Sequence, residues 1–306
     1  MQLVLKGLEN IESRPSDKPE SQAGMTRLRV SHCGICRTDA KMWHEGHRDL
    51  VFPRVPGHEL VGKDDRGRFF TVWPGRVCGQ CRYCTGGREN LCASMRIMGF
   101  HFDGGFGDWL LVPTESLIPV PGDIDPHLVC FAEPLGCVLN ALEKIDVHPA
   151  DRVVIYGGGS VGLIAALAVK TKGGIPTVIE KNAKKIAKAT PFLNASEIAC
   201  LRDTNESEFD AAINACPDPA AFSQGVVKLA KGGRYAFFSG LSKNESVETN
   251  LINLLHYREA ALLGAYGLTR RHMTAALTII GKHQPLFESL VETIAPPEQL
   301  AEWLPR

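Results

Sequence analysis

What this chain lacks narrows its role first. Its longest uninterrupted apolar stretch, "VGLIAALAV" at residues 161–169, falls far short of the roughly 20 residues that span a bilayer. The opening "MQLVLKGLENIESR" has no basic start followed by a long apolar segment, so no secretion signal is expected. An excess of either charge is also missing, since Lys plus Arg and Asp plus Glu both number 34. Without a positive field, neither nucleic acid nor an anionic membrane is an expected partner. Internal repeats and low-complexity tracts are absent as well. The expectation is a soluble, cytoplasmic, globular protein acting on small molecules, and 306 residues with 44% hydrophobic content suffice for two domains.

What is present changes character near residue 150. Before it, short segments heavy in Gly and Pro carry strand-like pieces such as "TRLRVSH" (26–32) and "GDWLLVP" (107–113). After it, apolar strand-like runs alternate with helical patterns, from "RVVIY" and "SVGLIAALAVKTK" through "IPTVIE" and "NAKKIAKAT" to "EAALLGAYG". That alternation predicts a doubly wound parallel sheet covered by helices, following a β-rich region. The end, "PLFESLVETIAPPEQLAEWLPR", suggests one more strand and a helix.

A nucleotide signal opens the second half. In "RVVIYGGGSVGLIAALAV", Gly157, Gly159 and Gly162 stand in GxGxxG register between a buried strand and an apolar helix. The first permits a tight turn, the second lets backbone approach a pyrophosphate, and the third lets helix pack closely on strand. The helix N-terminus supplies unpaired N–H groups for phosphate. The next strand ends on Glu180, where a carboxylate would accept from a ribose 2′-hydroxyl and repel a 2′-phosphate. NAD is therefore the expected dinucleotide, with Lys181, Lys184 and Lys185 nearby as a counterweight.

Cysteine chemistry fills the first half. Cys78, Cys81, Cys84 and Cys92 lie in an irregular Gly-rich stretch, spaced so that a folded-back loop could present four thiolates to one tetrahedral ion. Zinc fits best; an iron–sulfur cluster also tolerates CxxCxxC spacing, but the distance to the fourth cysteine and the absence of a second cysteine group argue against it. A filled four-sulfur shell leaves no place for substrate, so its contribution is to stability. A more scattered set comprises Cys36, with Thr38 and Asp39 behind it, His58 and Glu59 in "PGHE", and Glu133 in "EPLGCVLNAL". One sulfur, one imidazole and one carboxylate would make a zinc site with a position open for substrate. Taken singly, each also reads as a buried thiol, a core histidine or a helix-start acid.

Taken in order, "CGICRTD", "PGHE", "CGQCRYC" with Cys92, "EPLGCVLNAL", "GGGSVG" and Glu180 resemble the zinc-dependent medium-chain alcohol and polyol dehydrogenases of the sorbitol dehydrogenase kind. The resemblance implies a GroES-like catalytic domain over residues 1–136 and 270–306, with a zinc lobe at 76–94, and a Rossmann-type NAD-binding domain over 137–269. It implies two zinc ions per chain, one catalytic and one structural. Cys36, His58 and Glu133 match the catalytic ligands, with Glu59 an alternative to Glu133; Cys78, Cys81, Cys84 and Cys92 match the structural ones. Thr38 matches the hydroxyl that hands the substrate proton onward, and Asp39 the acid that orients the ligand histidine. Arg37 matches a contact to the pyrophosphate, Ser160 and Val161 belong to the phosphate turn, and Lys185 matches a contact to the adenosine ribose.

The resemblance further implies a small hydroxyl-bearing substrate and a homodimer or homotetramer, with "EAALLGAYG" as the subunit edge. Cys33, Cys130, Cys137, Cys200 and Cys216 read as thiols that hold no metal. Trp43, Arg96, Phe100, His101 and Tyr266 are pocket candidates by position. Three departures stand out: Lys41 replaces the histidine many relatives carry three residues after the relay hydroxyl, the stretch joining the two zinc motifs is short, and the chain ends early. A zinc-free carbonyl or quinone reductase and a non-catalytic NAD-binding scaffold or redox sensor are the alternatives.

Overall fold

The computed structural model describes residues 1–242 and 246–304. The chain divides into two compact units, Met1–Pro134 with Leu268–Arg306, and Leu135–Gly267.

The first unit opens with a hairpin, β1 (Gln2–Gly7) and β2 (Asn10–Arg14), followed by β3 (Met25–Gly34), α1 (Arg37–His44), β4 (Glu59–Lys63) and β5 (Phe69–Val72). Next come β6 (Gly75–Arg76), the single turn α2 (Arg82–Thr85), β7 (Arg96–Ile97), β8 (Trp109–Pro113) and β9 (Leu117–Pro119). Five strands form one antiparallel sheet in the order β8-β3-β4-β5-β9. Their inward residues, among them Leu28, Leu60, Val72, Leu110 and Val112, make one apolar cluster with Met98. The shortened stretch after "PGHE" folds as a tight hairpin, because Asp64 accepts from the backbone of Arg66 and Arg68, both at 2.9 Å. β6 pairs with β7 and closes the base of the four-cysteine loop.

At its C-terminal end this unit holds α8 (Arg270–Lys282), α9 (Gln284–Glu288) and α10 (Leu300–Trp303). The further strand suggested within "PLFESLVETIAPPEQLAEWLPR" is not formed among the described residues, whereas the helix is. Pro285 sits in the first turn of α9 and favours helix there. Pro296 and Pro297, which lack donors, close off the segment beyond.

In the second unit, α3 (Ala132–Lys144) leads to β10 (Arg152–Tyr156), α4 (Ser160–Thr171), β11 (Ile175–Ile179), α5 (Ala183–Ser196) and β12 (Ala199–Leu201). β13 (Phe209–Asn214), α6 (Pro219–Val227), β14 (Leu229–Phe237), α7 (Thr249–Tyr257) and β15 (Ala261–Gly264) complete it. All pairings are parallel and the order is β12-β11-β10-β13-β14-β15, so the strand order reverses between β10 and β13. Ligands of such sheets sit at the carboxyl ends beside that reversal. α4 lies on the sheet through a run of buried residues from Gly162 to Val169. No helix among the described residues is long and apolar enough to cross a membrane.

Candidate active site and metal lobe

The first unit gathers three donors. Cys36 ends the loop after β3 and is the N-cap of α1, while His58 and Glu59 lead into β4. Their ligand atoms lie within 4.8 Å of one another. Backbone must pass closely for this: a Cβ added at Gly34 would fall 2.5 Å from a Glu59 carboxylate oxygen. Cys36 Sγ accepts from the Thr38 N–H at 3.4 Å, the local contact of an N-cap.

Asp39 ties the set together. Fully buried, it accepts from Cys36 N at 2.9 Å and from Gly57 N at 3.3 Å. Its other neighbour is His58 Nδ1, at 3.6 Å, an atom buried without a hydrogen-bond partner. With Nδ1 turned to the acid, Nε2 is left to face Cys36 and Glu59. Glu133 does not belong to the close set, yet it is near enough for its charge to act on Glu59. A soft sulfur, an imidazole and a carboxylate are the donor types of an open zinc site.

Burial shapes the protonation of the metal-free set. Glu59 is pushed up to about 8, first by burial, with the nearby His58 charge opposing and Glu133 and Asp39 adding to the rise. His58 is held well above its ordinary range, because Asp39 overrides the burial that would lower it. In the folded metal-free chain Glu59 therefore keeps its proton to about pH 8, whereas the unfolded chain releases it near its ordinary 4.5. More protons are bound when folded, so stability falls as pH rises through that window, and His58 acts in the same direction. Because the lowered Cys78 thiol acts in the opposite direction over part of this range, the Glu59 contribution is read against Glu59→Gln: the urea midpoint of the chelator-treated parent should drop relative to that variant between about pH 5 and about pH 8.5, and zinc should remove the drop by taking the ionised donors. A parent midpoint that rises with pH relative to the variant would contradict this electrostatic picture.

The four-cysteine loop is the second cluster. Cys81 and Cys84 sulfurs stand 3.5 Å apart, Cys78 and Cys92 3.7 Å, and Cys78 and Cys84 4.0 Å. Sulfurs at zinc's bond length in a tetrahedron stand about 3.8 Å apart, while a disulfide requires about 2.05 Å. All ten cysteines are free. All four ligand sulfurs lie within 4.8 Å of one another, which leaves room for a single ion rather than a multi-iron cluster. Backbone N–H groups of Gln80 and Cys81 pull the Cys78 thiol down to about 6, while desolvation and the neighbouring Cys81 push Cys84 up to about 12, so the metal-free loop favours a partly ionised set of thiols.

In the second unit, the turn after β10 has the features its glycines suggest. Gly157 has φ 114°, a conformation that disfavours a side chain, and a Cβ at Gly162 would strike the Gly157 carbonyl oxygen at 1.8 Å. Gly159 caps α4 and faces open space. Ser160 and Val161 form the first helical turn. Gly158 matters for a reason the motif does not encode: its N–H donates to Glu180 Oε2 at 2.9 Å, and a Cβ there would meet the Glu180 side chain at 2.8 Å. Glu180 Oε1 also accepts from Asn182 N at 2.8 Å, and a carboxylate with about four acceptor positions still has room for ribose hydroxyls. Asn182 in turn caps α5, accepting from Lys184 and Lys185, so Lys185 stands exposed in the first turn.

Asn214, missed in the sequence, is fully buried at the end of β13. Its amide donates to Ser239 O at 2.6 Å and Cys216 O at 3.4 Å and accepts from Phe238 N at 2.8 Å. Only strand pairing could have exposed this role, since the bonds join β13 to the end of β14.

Other sequence candidates take varied places. Arg37 and Lys41 are exposed on α1, with Lys41 Nζ 4.0 Å from Glu45. Thr38 is half-buried one residue before Asp39. Phe100 is buried with its ring 5.5 Å from that of His58, and His101 follows it. Trp43 packs toward the β1–β2 hairpin instead. Tyr266 is exposed in the second unit.

An antiparallel curled sheet bearing a metal-type donor set, together with a nucleotide-binding parallel sheet, defines a dehydrogenase architecture. Residues 22–122 match the alcohol dehydrogenase GroES-like domain. A sorbitol dehydrogenase of Halalkalibacterium halodurans is 28% identical over 90% of this chain and 86% of its own length. A D-altritol 5-dehydrogenase of Agrobacterium fabrum is 28% identical over 100% of this chain and 94% of its own. The crystal structure of a zinc-binding dehydrogenase from Sinorhizobium meliloti 1021, bound to NADP, superposes with a TM-score of 0.82 at 26% identity, covering 92% of this chain and 88% of that one. Residues 22–122 thus carry an alcohol dehydrogenase GroES-like domain, and over nearly its whole length the chain is similar to zinc-type medium-chain alcohol and polyol dehydrogenases, which are NAD(P)-linked oxidoreductases.

Proposed function

We propose that this protein oxidises a secondary hydroxyl of a polyol or related sugar metabolite with NAD, using a catalytic zinc at Cys36, His58 and an acid, and a structural zinc at Cys78, Cys81, Cys84 and Cys92. The observation that carries the reading is the convergence of Cys36, His58 and Glu59 with Asp39 behind the imidazole. Glu59 is the third donor of the metal-free arrangement, and Glu133, close behind it, is the acid that can take its place. When bound, the metal acts as a Lewis acid that makes a substrate hydroxyl acidic near neutral pH, and the dinucleotide accepts the hydride.

The chain's own groups do the rest. Thr38 accepts the substrate proton through its hydroxyl and passes it outward. Lys41, one helical turn further on, is a donor-only ammonium at neutral pH and fixes hydroxyl groups rather than taking the proton. Asp39 holds His58 in one tautomer and direction. Backbone N–H groups at the start of α4, with Gly159, Ser160 and Val161, hold pyrophosphate, and Arg37 adds a cation to it. Glu180 accepts from the adenosine ribose with Lys185 nearby, and its charge disfavours a 2′-phosphate. A homodimer or homotetramer is part of the same reading, supported by the sheet edge at β15 and by exposed Leu262. Ten free thiols support a reducing compartment, the cytoplasm.

The test is metal analysis combined with turnover of a polyol panel followed as NADH and NADPH absorbance. Two zinc ions per chain and faster reduction of NAD are expected. Full turnover with the catalytic donors metal-free would refute the reading, and a single zinc with no turnover would favour a scaffold that keeps only the cysteine lobe.

A further inference from the structure

Beside the candidate catalytic set lies a group of donors, two of which, His47 and His101, the reaction itself does not use. Phe100 touches both histidines in the series: its ring is 5.5 Å from that of His58 and meets His47 edge-on at 5.1 Å. His101 is the next residue along the chain. Each of the two outer histidines is tied down at Nδ1 by a backbone N–H. His47 Nδ1 accepts from Asp49 N at 3.2 Å, and His101 Nδ1 accepts from Ile97 N at 2.9 Å. A neutral imidazole whose Nδ1 accepts must carry its proton on Nε2. Both rings therefore present N–H donors and no acceptor on their remaining side.

The surrounding charge agrees. Burial first, and then the charges of Arg48 and Lys41, lower the proton affinity of the His47 ring against the opposing charge of Asp49. Lys41 adds three donors and no acceptor. The nearby acids have cationic partners: Glu45 stands 4.0 Å from Lys41 Nζ, and Asp49 Oδ2, which lies 3.7 Å from His47 Nδ1 on the side away from Nε2, stands 3.3 Å from Arg48 Nε. A neutral polyol brings hydroxyls that both donate and accept, and would leave its own protons without partners here. An oxyanion accepts from every group in the set.

Resting on the polyol dehydrogenase reading, we infer that the substrate is an anionic polyol, whose carboxylate or phosphate is held by His47, His101 and Lys41 while a hydroxyl carbon reaches the Cys36–His58 set. These side chains determine specificity; the reacting carbon is oxidised as in any relative, with the proton leaving the hydroxyl and the hydride passing to NAD.

Three substrates on one skeleton test this with the zinc-loaded full chain: glucitol, gluconate and glucitol 6-phosphate. One of the two anions is expected to exceed glucitol in kcat/KM by at least about tenfold, the worth of one charge-assisted hydrogen bond, and which one does so separates carboxylate from phosphate. Glucitol turned over as well as both anions would overturn the inference. His47→Leu keeps an apolar contact for Phe100 and removes the donor, so the anion-to-neutral ratio should fall about tenfold; an unaltered ratio counts against it. A second readout is independent of turnover: ¹⁵N signals of the His47 and His101 rings should move on titration with gluconate or inorganic phosphate. Moving signals with no turnover of any polyol would retain the anion site and reject the dehydrogenase reading, whereas fixed signals would reject the anion site.

Discussion

Cys36→Ser is expected to lower turnover by at least about 10³-fold, since a catalytic metal supplies several kcal/mol of charge stabilisation. The fold should survive the change. Cys36 is the N-cap of α1, where Ser is among the preferred residues and its oxygen can accept from Thr38 N as the sulfur does. Asp39 still accepts from the backbone at residue 36, so the capping box stays closed. What is lost is the thiolate that anchors an ion among otherwise weaker donors. Zinc content should drop from two per chain to one, with the melting temperature shifting by only a few degrees. A variant that keeps full turnover would remove the metal from the mechanism.

Cys92→Ser should do the reverse. Cys92 is the one buried residue between positions 76 and 96, so this loop has no apolar core of its own. Two short strands, β6 and β7, close its base, and within it only the single helical turn α2 and a 3-10 turn recur. On the proposed reading its order depends on four sulfurs sharing an ion, and ions in such sites contribute folding energy directly. Replacing one thiolate should release the ion and lower the melting temperature by on the order of 10 °C. The Cys36 set should keep its zinc, so turnover measured well below the new transition should persist. Equal melting temperatures for the variant and the parent, each with its metal content measured, would show that the loop folds without the ion.

Local signals made much of this legible before any coordinates. The glycine turn could be read because strand, turn and helix are adjacent in sequence and the close contacts of Gly162 and Gly157 are made within it. The four cysteines could be read because a loop of fifteen residues brings them together whatever surrounds it. Where contacts join distant segments, sequence reading gave out. Whether Glu59 or Glu133 stands nearer Cys36 depends on how the start of α3 meets β4, which no spacing encodes. Gly158 and Asn214 act through partners 22 and 25 residues away. The further strand suggested near the C-terminus is absent among the described residues, where Pro285 starts a helix and Pro296 and Pro297 lack donors. The donor-only character of His47 and His101 was equally hidden, because it arises from which backbone N–H each ring meets.

Asn214 carries a consequence for the energetics of cofactor capture. Through one buried amide it bonds the end of β13 to residues 238 and 239, just past β14, and so orders the backbone there while the chain folds. The entropy of ordering that shelf is spent in folding and not charged again to association. A ligand bound at the carboxyl ends of these two strands would therefore meet backbone that is already in place.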